Sequence, residues 1–293
     1  LADLPEFPLE LDYYSSESTE DEDDTKFLNI KYETQKNSVY LDMAASYDGS
    51  AYGAFASATL TPAAVTGTGI TLTASAAVFT SDMVGRQIWK GYDQNGDGGG
   101  RAEIVTYTDS THVVVDILKD FDNVNVMAAG SWFITATTVT GLEYLEGQEV
   151  GIVADGGVHA VRTVTGGQVT LQYAASKIHV GYKVRAFASS LNLDPGTQTG
   201  PAQAKNRNLI KACFRFLDTG GVRFGTYQYD TERVVFRSTS DLTSRPTPIF
   251  SGIREERYMD TWSIEGKKFF VLQDQALPCT LLSVDLFMDT IDE

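Results

Sequence analysis

One short segment of the chain carries oxygen ligands at the spacing of a calcium loop. The stretch DQNGDG places side-chain oxygens of Asp93, Asn95 and Asp97 at the first, third and fifth positions, and a glycine at the sixth. Such a loop curls around one Ca²⁺ ion, and a bidentate glutamate at the twelfth position closes the site. Here Ile104 holds the twelfth position and Glu103 lies one place early. We therefore predict a glycine-rich hairpin tip and no metal site, with calcium binding as the alternative.

Residue types that perform catalysis are present but are not grouped. His112, His159 and His179 are far apart, each in a strand-like run beside Val or Ala. A catalytic histidine needs partners arranged around it, so we expect packed or edge residues. Glu143 and Glu146 form a pair that a glycosidase can use, but only their separation in space decides this. Since no G-x-S-x-G, HExxH or phosphate-loop motif occurs, we predict no catalytic residue, no cofactor and no enzyme activity.

Aromatic residues offer a further surface. Trp89, Trp132 and Trp262 are accompanied by 14 tyrosines and 15 phenylalanines. Because aromatic side chains dominate buried β cores, we expect the tryptophans to pack in a core or on a sheet face. A platform that binds sugars on a host surface is the alternative.

The composition indicates an acidic globular protein. The chain has 293 residues, of which 42% are hydrophobic, and a formal charge of −16. This charge argues against wrapping DNA by neutralising phosphates, but a wall that repels phosphate also lets DNA slide past. Cys213 and Cys279 form no framework, and no run approaches the ~18 apolar residues of a membrane span. The chain lacks a signal peptide and an initiator Met, so we expect a processed or truncated piece of a longer protein.

Charged and polar runs predict exposed segments. The opening Leu1 to Asp24 ends in five consecutive acidic residues, which repel one another and favour a solvated arm over a metal site. The stretch Asn192 to Asn206 is polar and contains Asp-Pro-Gly and Gly-Pro pairs, which favour a loop. Arg254 to Arg257 reads REER and is expected to form a solvated, self-compensating turn. The arm and the polar loop are candidates for interface or channel elements, with plain surface loops as the alternative.

Short runs rich in β-branched and aromatic residues predict strands along most of the chain. In Leu209 to Leu217, alternation places Ile210, Ala212, Phe214 and Phe216 on one face. Ser81 to Gly85 is expected to form one helical turn, capped by Ser81. The fold predicted is all-β, a β-sandwich or open barrel of short antiparallel strands. The remaining predicted strands are Phe27 to Tyr32, Ser38 to Leu41, Gly69 to Ala74, Gln87 to Lys90, Arg101 to Thr106, His112 to Leu118, Ser131 to Ile134, Glu149 to Val153, Val158 to Val164, Val169 to Tyr173, Ile178 to Val180, Val222 to Tyr229, Arg233 to Arg237, Thr261 to Ile264, Lys268 to Gln273 and Thr280 to Met288.

Several sequence blocks resemble the C-terminal region of the tail nozzle (tail tube) proteins of short-tailed bacteriophages. The blocks occur in the order of that family, over more than half of the chain, although Tyr144 and Ala276 stand where the family commonly has histidine and proline. The blocks are VYLDMAASYDG at Val39 to Gly49, GLEYLEG at Gly141 to Gly147 with the predicted hairpins that continue to Gly181, RF and TGG from Arg215 to Gly221, VVFR at Val234 to Arg237, PIFSG at Pro248 to Gly252, and QDQALPCTLLSV at Gln273 to Val284.

The resemblance predicts how the chain is divided. In the family, the first two blocks are nearly contiguous, whereas here an Ala-, Thr- and Gly-rich stretch with a VGR motif at Val84 to Arg86 separates them. We expect residues 1–53 to be an acidic arm and the first part of a β domain, 54–138 an inserted small β module, and 139–293 the second part. The two ends of an inserted module must lie close together in the parent domain.

The resemblance also implies a function. Nozzle proteins are virion components that form sixfold rings, contact tail adaptor and tail fibre proteins, and let genome DNA pass without sequence-specific binding. We therefore expect a structural protein located in the virion tail. The alternative is a β-rich module of a phage tail or a bacterial adhesin that binds glycan or protein on a host surface, and a polysaccharide hydrolase is a third hypothesis.

Overall fold

The computed structural model describes residues 35, 38–49, 57–90, 99–193, 196–197, 200–201, 205–239, 241, 246–257, 262–264 and 268–291. These residues form antiparallel strands and two short 3-10 turns, and one of the sheets curls into a half-barrel. The predicted all-β fold is confirmed. Over this part of the chain, no helix has the length and apolarity required to span a membrane.

The first large sheet is built entirely from residues 60–134 and follows strand β1 (Leu41–Asp48), which belongs to another sheet. Its strand order is β2-β3-β6-β5-β4-β7. Its core includes Ile88, Ile104 and Trp132, all buried, and the indole nitrogen of Trp132 donates a hydrogen bond to the carbonyl of Ala58 at 2.9 Å. The strands are β2 (Leu60–Pro62), β3 (Ile70–Ala74), β4 (Gln87–Lys90), β5 (Arg101–Tyr107), β6 (His112–Lys119) and β7 (Trp132–Ile134).

The next part of the chain, residues 136–183, forms a sheet that includes β1. A four-stranded sheet has the order β1-β12-β9-β10, and β11 pairs with β8. The core between them contains Leu142, Val150 and Ile178, and Ala45 and Tyr47 of β1 pack against it. The strands are β8 (Ala136–Thr140), β9 (Glu149–Ala154), β10 (Gly157–Thr163), β11 (Gln168–Ala175) and β12 (Lys177–Lys183).

These two regions have the same pattern of strand pairing. In the first unit (β3 to β7), β3 pairs with β6, β4 with β5, β5 with β6, and β4 with β7. In the second unit (β8 to β12), β8 pairs with β11, β9 with β10, and β9 with β12, and an isolated bridge between Thr165 and Gln168 closes the turn from β10 into β11. The chain therefore builds one five-stranded topology twice in succession.

The turn between the first and second strands is also repeated. A 3-10 turn, Ser81–Met83 in the first unit and Glu143–Leu145 in the second, leads to a glycine with positive φ, Gly85 at 85° and Gly147 at 75°. The Gly85 amide donates to the carbonyl of Ile104, and the Gly147 amide donates to that of Val164. Two further backbone hydrogen bonds of the first unit have equivalents in the second. The Ile104 amide donates to the Arg86 carbonyl, as the Val164 amide donates to that of Gln148. The Arg86 amide donates to the Met83 carbonyl, as the Gln148 amide donates to that of Leu145. The glycine of the VGR motif thus has the same structural role as the glycine of LEG.

The C-terminal part contains three further sheets and a separate core. The orders are β13-β20-β17-β18, β14-β15 and β19-β16-β21. Stacked and edge-on rings of Phe214, Phe216, Phe224 and Phe269 form the centre of the core. The strands are β13 (Ala186–Ser189), β14 (Gly196–Thr197), β15 (Gly200–Pro201), β16 (Asn206–Thr219), β17 (Arg223–Tyr227), β18 (Asp230–Arg233), β19 (Phe250–Arg257), β20 (Phe270–Gln273) and β21 (Thr280–Ile291).

Most predicted strands are present, with ends that differ by a few residues, but several predictions are wrong. Residues 234–238 are not in a strand, since β18 ends at Arg233, and among residues 262–264 only Ser263 makes an isolated bridge. Strand β1 lies at Leu41–Asp48, so the predicted strand Ser38 to Leu41 overlaps it only at Leu41. The predicted helical turn exists, but its cap residue is Thr80 and makes no side-chain capping bond. The predicted strand Phe27 to Tyr32 lies outside the described residues.

A β-bulge changes the face that Ile210 occupies. The pairing of β16 with β21 shifts register between Leu209 and Lys211. Ala212, Phe214 and Phe216 face the core as predicted, but Ile210 is 41% exposed. The inserted residue of a bulge breaks the two-residue alternation on which the prediction relied.

Candidate functional site

The calcium-loop candidate lies mostly beyond the part of the chain that the structure describes. Asp93, Asn95 and Asp97 are outside the described residues. Ile104, at the closing position, is 1% exposed in the core, and Glu103 pairs with Gln87 within the sheet. Across the described ranges, no three His, Cys, Asp or Glu side chains form a group that could hold a metal ion. The absence of a calcium site stays a prediction.

His159 is buried and has both ring nitrogens engaged by the backbone. Nδ1 lies 2.8 Å from the carbonyl of Ala160, and Nε2 accepts a hydrogen bond from the amide of Gln172 at 3.0 Å. Because Nε2 accepts, the proton of the neutral ring must be on Nδ1, which donates to Ala160. The ring also packs against Tyr173, with 5.2 Å between centroids. His159 is therefore packed, as predicted, and fastens β10 to β11.

His112 belongs to a tight turn. The carboxylate of Asp109 accepts hydrogen bonds from the amides of Thr111 and His112 and lies 3.0 Å from Nδ1 of His112. The hydrogen bonds from Thr111, with a smaller contribution from His112, hold the pKa of Asp109 well below its usual range. His179 lies in β12 between Ser46 and Val153. The three histidines are at separate places in the fold.

Glu146 anchors a turn of the second unit. Its two carboxylate oxygens accept hydrogen bonds from the amides of Gly166 and Gly167 at 2.9 and 2.7 Å. Both glycines have positive φ, so their amides form a small anion-binding concavity. These bonds lower the pKa of Glu146, with Gly167 contributing most. Unlike the proton donor of a glycosidase pair, this carboxyl is held in its charged form.

Gly49, directly after strand β1, forms backbone hydrogen bonds with both repeated units. The Gly49 amide donates to the carbonyl of Ser176 at 2.9 Å, and its carbonyl accepts from the amide of Ile134 at 3.0 Å. The hydroxyl of Tyr47 donates to the carbonyl of Ile134 at 3.0 Å, and the Arg86 guanidinium lies 5.7 Å from the centre of the Tyr47 ring. Gly49, at the end of the first sequence block, therefore lies beside the last strand of the first unit, where Arg86 of the VGR motif also packs. The division into domains itself stays a prediction.

The three tryptophans have different environments. Trp132 is fully buried, as predicted. Trp89 is half-buried, with the Arg101 guanidinium 4.6 Å from its ring centre and Phe133 edge-on at 6.4 Å. Trp262 is 44% exposed, so packing alone does not account for it. Trp89 and Phe133 form a small aromatic surface on the first unit.

The three-stranded sheet β19-β16-β21 presents an open outer face. Large apolar side chains on this face are exposed, namely Ile253 at 67%, Leu282 at 55% and Phe287 at 47%. Charged side chains lie between them, and the Lys211 ammonium lies 3.2 Å from Glu255 and 4.4 Å from the Phe287 ring centre. Exposed apolar patches rimmed by polar groups are typical of protein interaction sites.

Two predictions about polar segments need correction. Arg254 to Arg257 is part of strand β19 and not a turn, because its side chains alternate between half-buried and exposed along an edge of this sheet. Its charges are compensated partly within the strand, where Arg254 contacts Glu256 at 2.9 Å. The described residues of Asn192 to Asn206 include the short hairpin β14-β15 and the first residue of β16. The acidic arm lies outside the described residues.

Cys279 lines a shallow apolar groove beside β13, together with Phe187 and Leu281. Burial raises the pKa of the Cys279 thiol, and a hydrogen bond with Thr219 opposes this only in part. Cys279 is therefore less ionised than an ordinary thiol, as expected for a packing residue.

Comparison with known proteins does not assign this site. No sequence model of a protein family matches the chain, and no curated protein matches it.

Proposed function

We propose that the chain is a structural component of a virion tail, a nozzle or tube subunit that assembles into a ring through which genome DNA is ejected. The observation that carries the proposal is the pairing of β1 with β12, from Leu41 opposite Lys183 to Asp48 opposite Lys177. This pairing joins the first sequence block that resembles nozzle proteins to the unit that contains the second block, and the hydroxyl of Tyr144 in the second block donates a hydrogen bond to the carbonyl of Met43 in the first at 3.1 Å. The resemblance therefore has the spatial continuity that a shared domain requires.

The physical character of the chain supports the proposal. Most of its described residues lie in strands around packed cores. Glu146 fastens a turn, and His159 fastens β10 to β11. The formal charge of −16 suits a channel through which DNA moves without adhering. In this function the subunit contacts neighbouring copies in a ring of six, as the resemblance implies, together with tail adaptor and tail fibre proteins.

Assembly is the property to test. The chain is produced alone and together with its tail partners, and its mass and shape are measured by light scattering and negative-stain imaging. We expect closed rings with a central opening that join the tail assembly. A protein that stays monomeric with its tail partners and binds glycan would refute the proposal.

Binding to a host surface is the second candidate function, and the aromatic surface of Trp89 and Phe133 favours it. Aromatic rings that are partly exposed and held in place can stack against sugar rings, and Arg101 fixes one face of Trp89. Glycan-array binding that is lost in Trp89→Ala and kept in Trp262→Ala would support this function at that surface. Absence of binding in the wild-type chain would exclude it for the glycans on the array.

A further inference from the structure

Strands β19 and β21 form the two outer edges of the three-stranded sheet. Over the described ranges, no strand pairs with the far side of either one. Strand β21 runs for 12 residues and β19 for 8. A long edge strand presents a row of backbone donors and acceptors, which is a template for another strand.

The directions of the two edges favour pairing between copies of this chain. Both β19 and β21 are antiparallel to β16, so they are parallel to each other. When copies are related by rotation about an axis along the strands, β21 of one copy meets β19 of the next. This contact uses two different patches of each subunit, and such a heterologous contact propagates until it closes into a ring.

The charges select a register for this pairing. Across β16, Glu255 lies level with Asp285, because both pair with Cys213, and Arg257 lies level with Phe287, because both pair with Lys211. Joining copies without a stagger would therefore place Glu255 beside Asp285. A stagger of two residues places Arg257 beside Asp285, and closed sheets require such a stagger. Over the described residues, neither Arg257 nor Asp285 has a salt bridge.

The same stagger removes the repulsion at Glu255. Glu255 lies level with Asp285, so a shift of two residues towards the start of β21 moves Glu255 beside the neutral Ser283. Both side chains are exposed in the isolated chain and can meet in such a contact.

We infer that the ring interface is a strand-to-strand contact in which β19 of one copy pairs in parallel with β21 of the next, with Arg257 beside Asp285 and Glu255 beside Ser283. The inference rests on the proposed function, since it assigns the surface through which the proposed ring closes. It commits to a second copy of this chain as the occupant of both edges. A foreign strand would occupy one edge and leave the other open.

Cysteine cross-linking tests the contact. In a Cys213→Ser, Cys279→Ser background, the double variant Glu255→Cys, Ser283→Cys should give a ladder of disulfide-linked species that ends at the closed ring. Either single variant should give no ladder. A matched control pairs Glu255→Cys with Val161→Cys, which is 46% exposed on β10, and should not form a ladder. Dimers from Ser283→Cys alone would show pairing of β21 with itself and would overturn the inference.

Charge reversal gives a second measurement that does not depend on disulfides. Arg257→Asp should lower the association constant of each contact about tenfold or more, and adding Asp285→Arg should restore it. Circular dichroism and thermal melting identify any variant that does not fold. If rings form and neither Arg257→Asp nor the cysteine pair responds as described, the inference is wrong while the proposed function stands. If the wild-type chain forms no ring with its tail partners, both are wrong.

Discussion

Replacing Gly49 with alanine should weaken the junction between β1 and both repeated units. A Cβ at this position would lie 1.8 Å from the carbonyl oxygen of Ile134, whereas real Cβ contacts are longer than 3.0 Å. The backbone must therefore move by about 1.2 Å, which takes hydrogen bonds of 2.9 to 3.0 Å beyond their working range. Three bonds are affected, namely those of Gly49 with Ser176 and Ile134, and that of Tyr47 with Ile134. At about 0.5–1.5 kcal/mol each, their loss lowers the free energy of unfolding by about 2–4 kcal/mol.

Urea denaturation followed by tryptophan fluorescence measures this effect, because the buried Trp132 lies in the same strand as Ile134. Hydrogen exchange of the Ile134 amide should also become faster in Gly49→Ala. The matched control is Gly157→Ala, where a Cβ would meet no atom closer than 3.4 Å. If Gly49→Ala stays within about 0.5 kcal/mol of the wild type, as an ordinary surface substitution does, the description of the junction is wrong.

Three further predictions concern single side chains. His159→Phe leaves the amide of Gln172 without its acceptor and should lower the free energy of unfolding by about 1–3 kcal/mol in urea denaturation; no loss would contradict the assigned tautomer. The pKa of Glu146 is lowered in the folded chain, so its stabilisation is full above the ordinary carboxyl pKa and is lost as the pH falls through the folded value. The melting temperature of Glu146→Gln should therefore be below that of the wild type at pH 7 and approach it on acidification, and a constant difference would contradict this. In a Cys213→Ser variant, Cys279 should react with iodoacetamide more slowly than a free cysteine, as followed by mass spectrometry, because burial raises its pKa; an equal rate would contradict the raised pKa.

Local sequence patterns were sufficient where a strand and its neighbours alternate regularly. The predicted strand Gln87 to Lys90 matches β4 at both ends, and Arg101 to Thr106 differs from β5 by one residue. Strand β19 was missed because REER has no alternation of apolar and polar residues, and its half-buried side chains are the charged Arg254 and Glu256. Their environment comes from pairing with β16, which no local pattern encodes.

The repeated topology was also invisible in the sequence read by itself. The two units share the order of a short turn, a glycine and a strand, but Met83, Gly85 and Ile88 match Leu145, Gly147 and Val150 only in character and spacing. The connection between β4 and β5 is longer than that between β9 and β10, and the connection between β6 and β7 is longer than that between β11 and β12, which hides the correspondence. Equivalent backbone hydrogen bonds reveal it, because they depend on conformation and not on residue identity.

The pairing of β1 with β12 has a consequence for the order in which the protein folds during synthesis. Asp48 and Lys177, which contact each other at 2.9 Å, are 129 residues apart, and the whole six-stranded sheet lies between them. At 5–20 residues per second, the ribosome needs on the order of 10 s to make this distance. We expect the first unit to be complete while β1 still waits for its partner, so a chaperone that binds nascent strands would find β1 accessible in that interval.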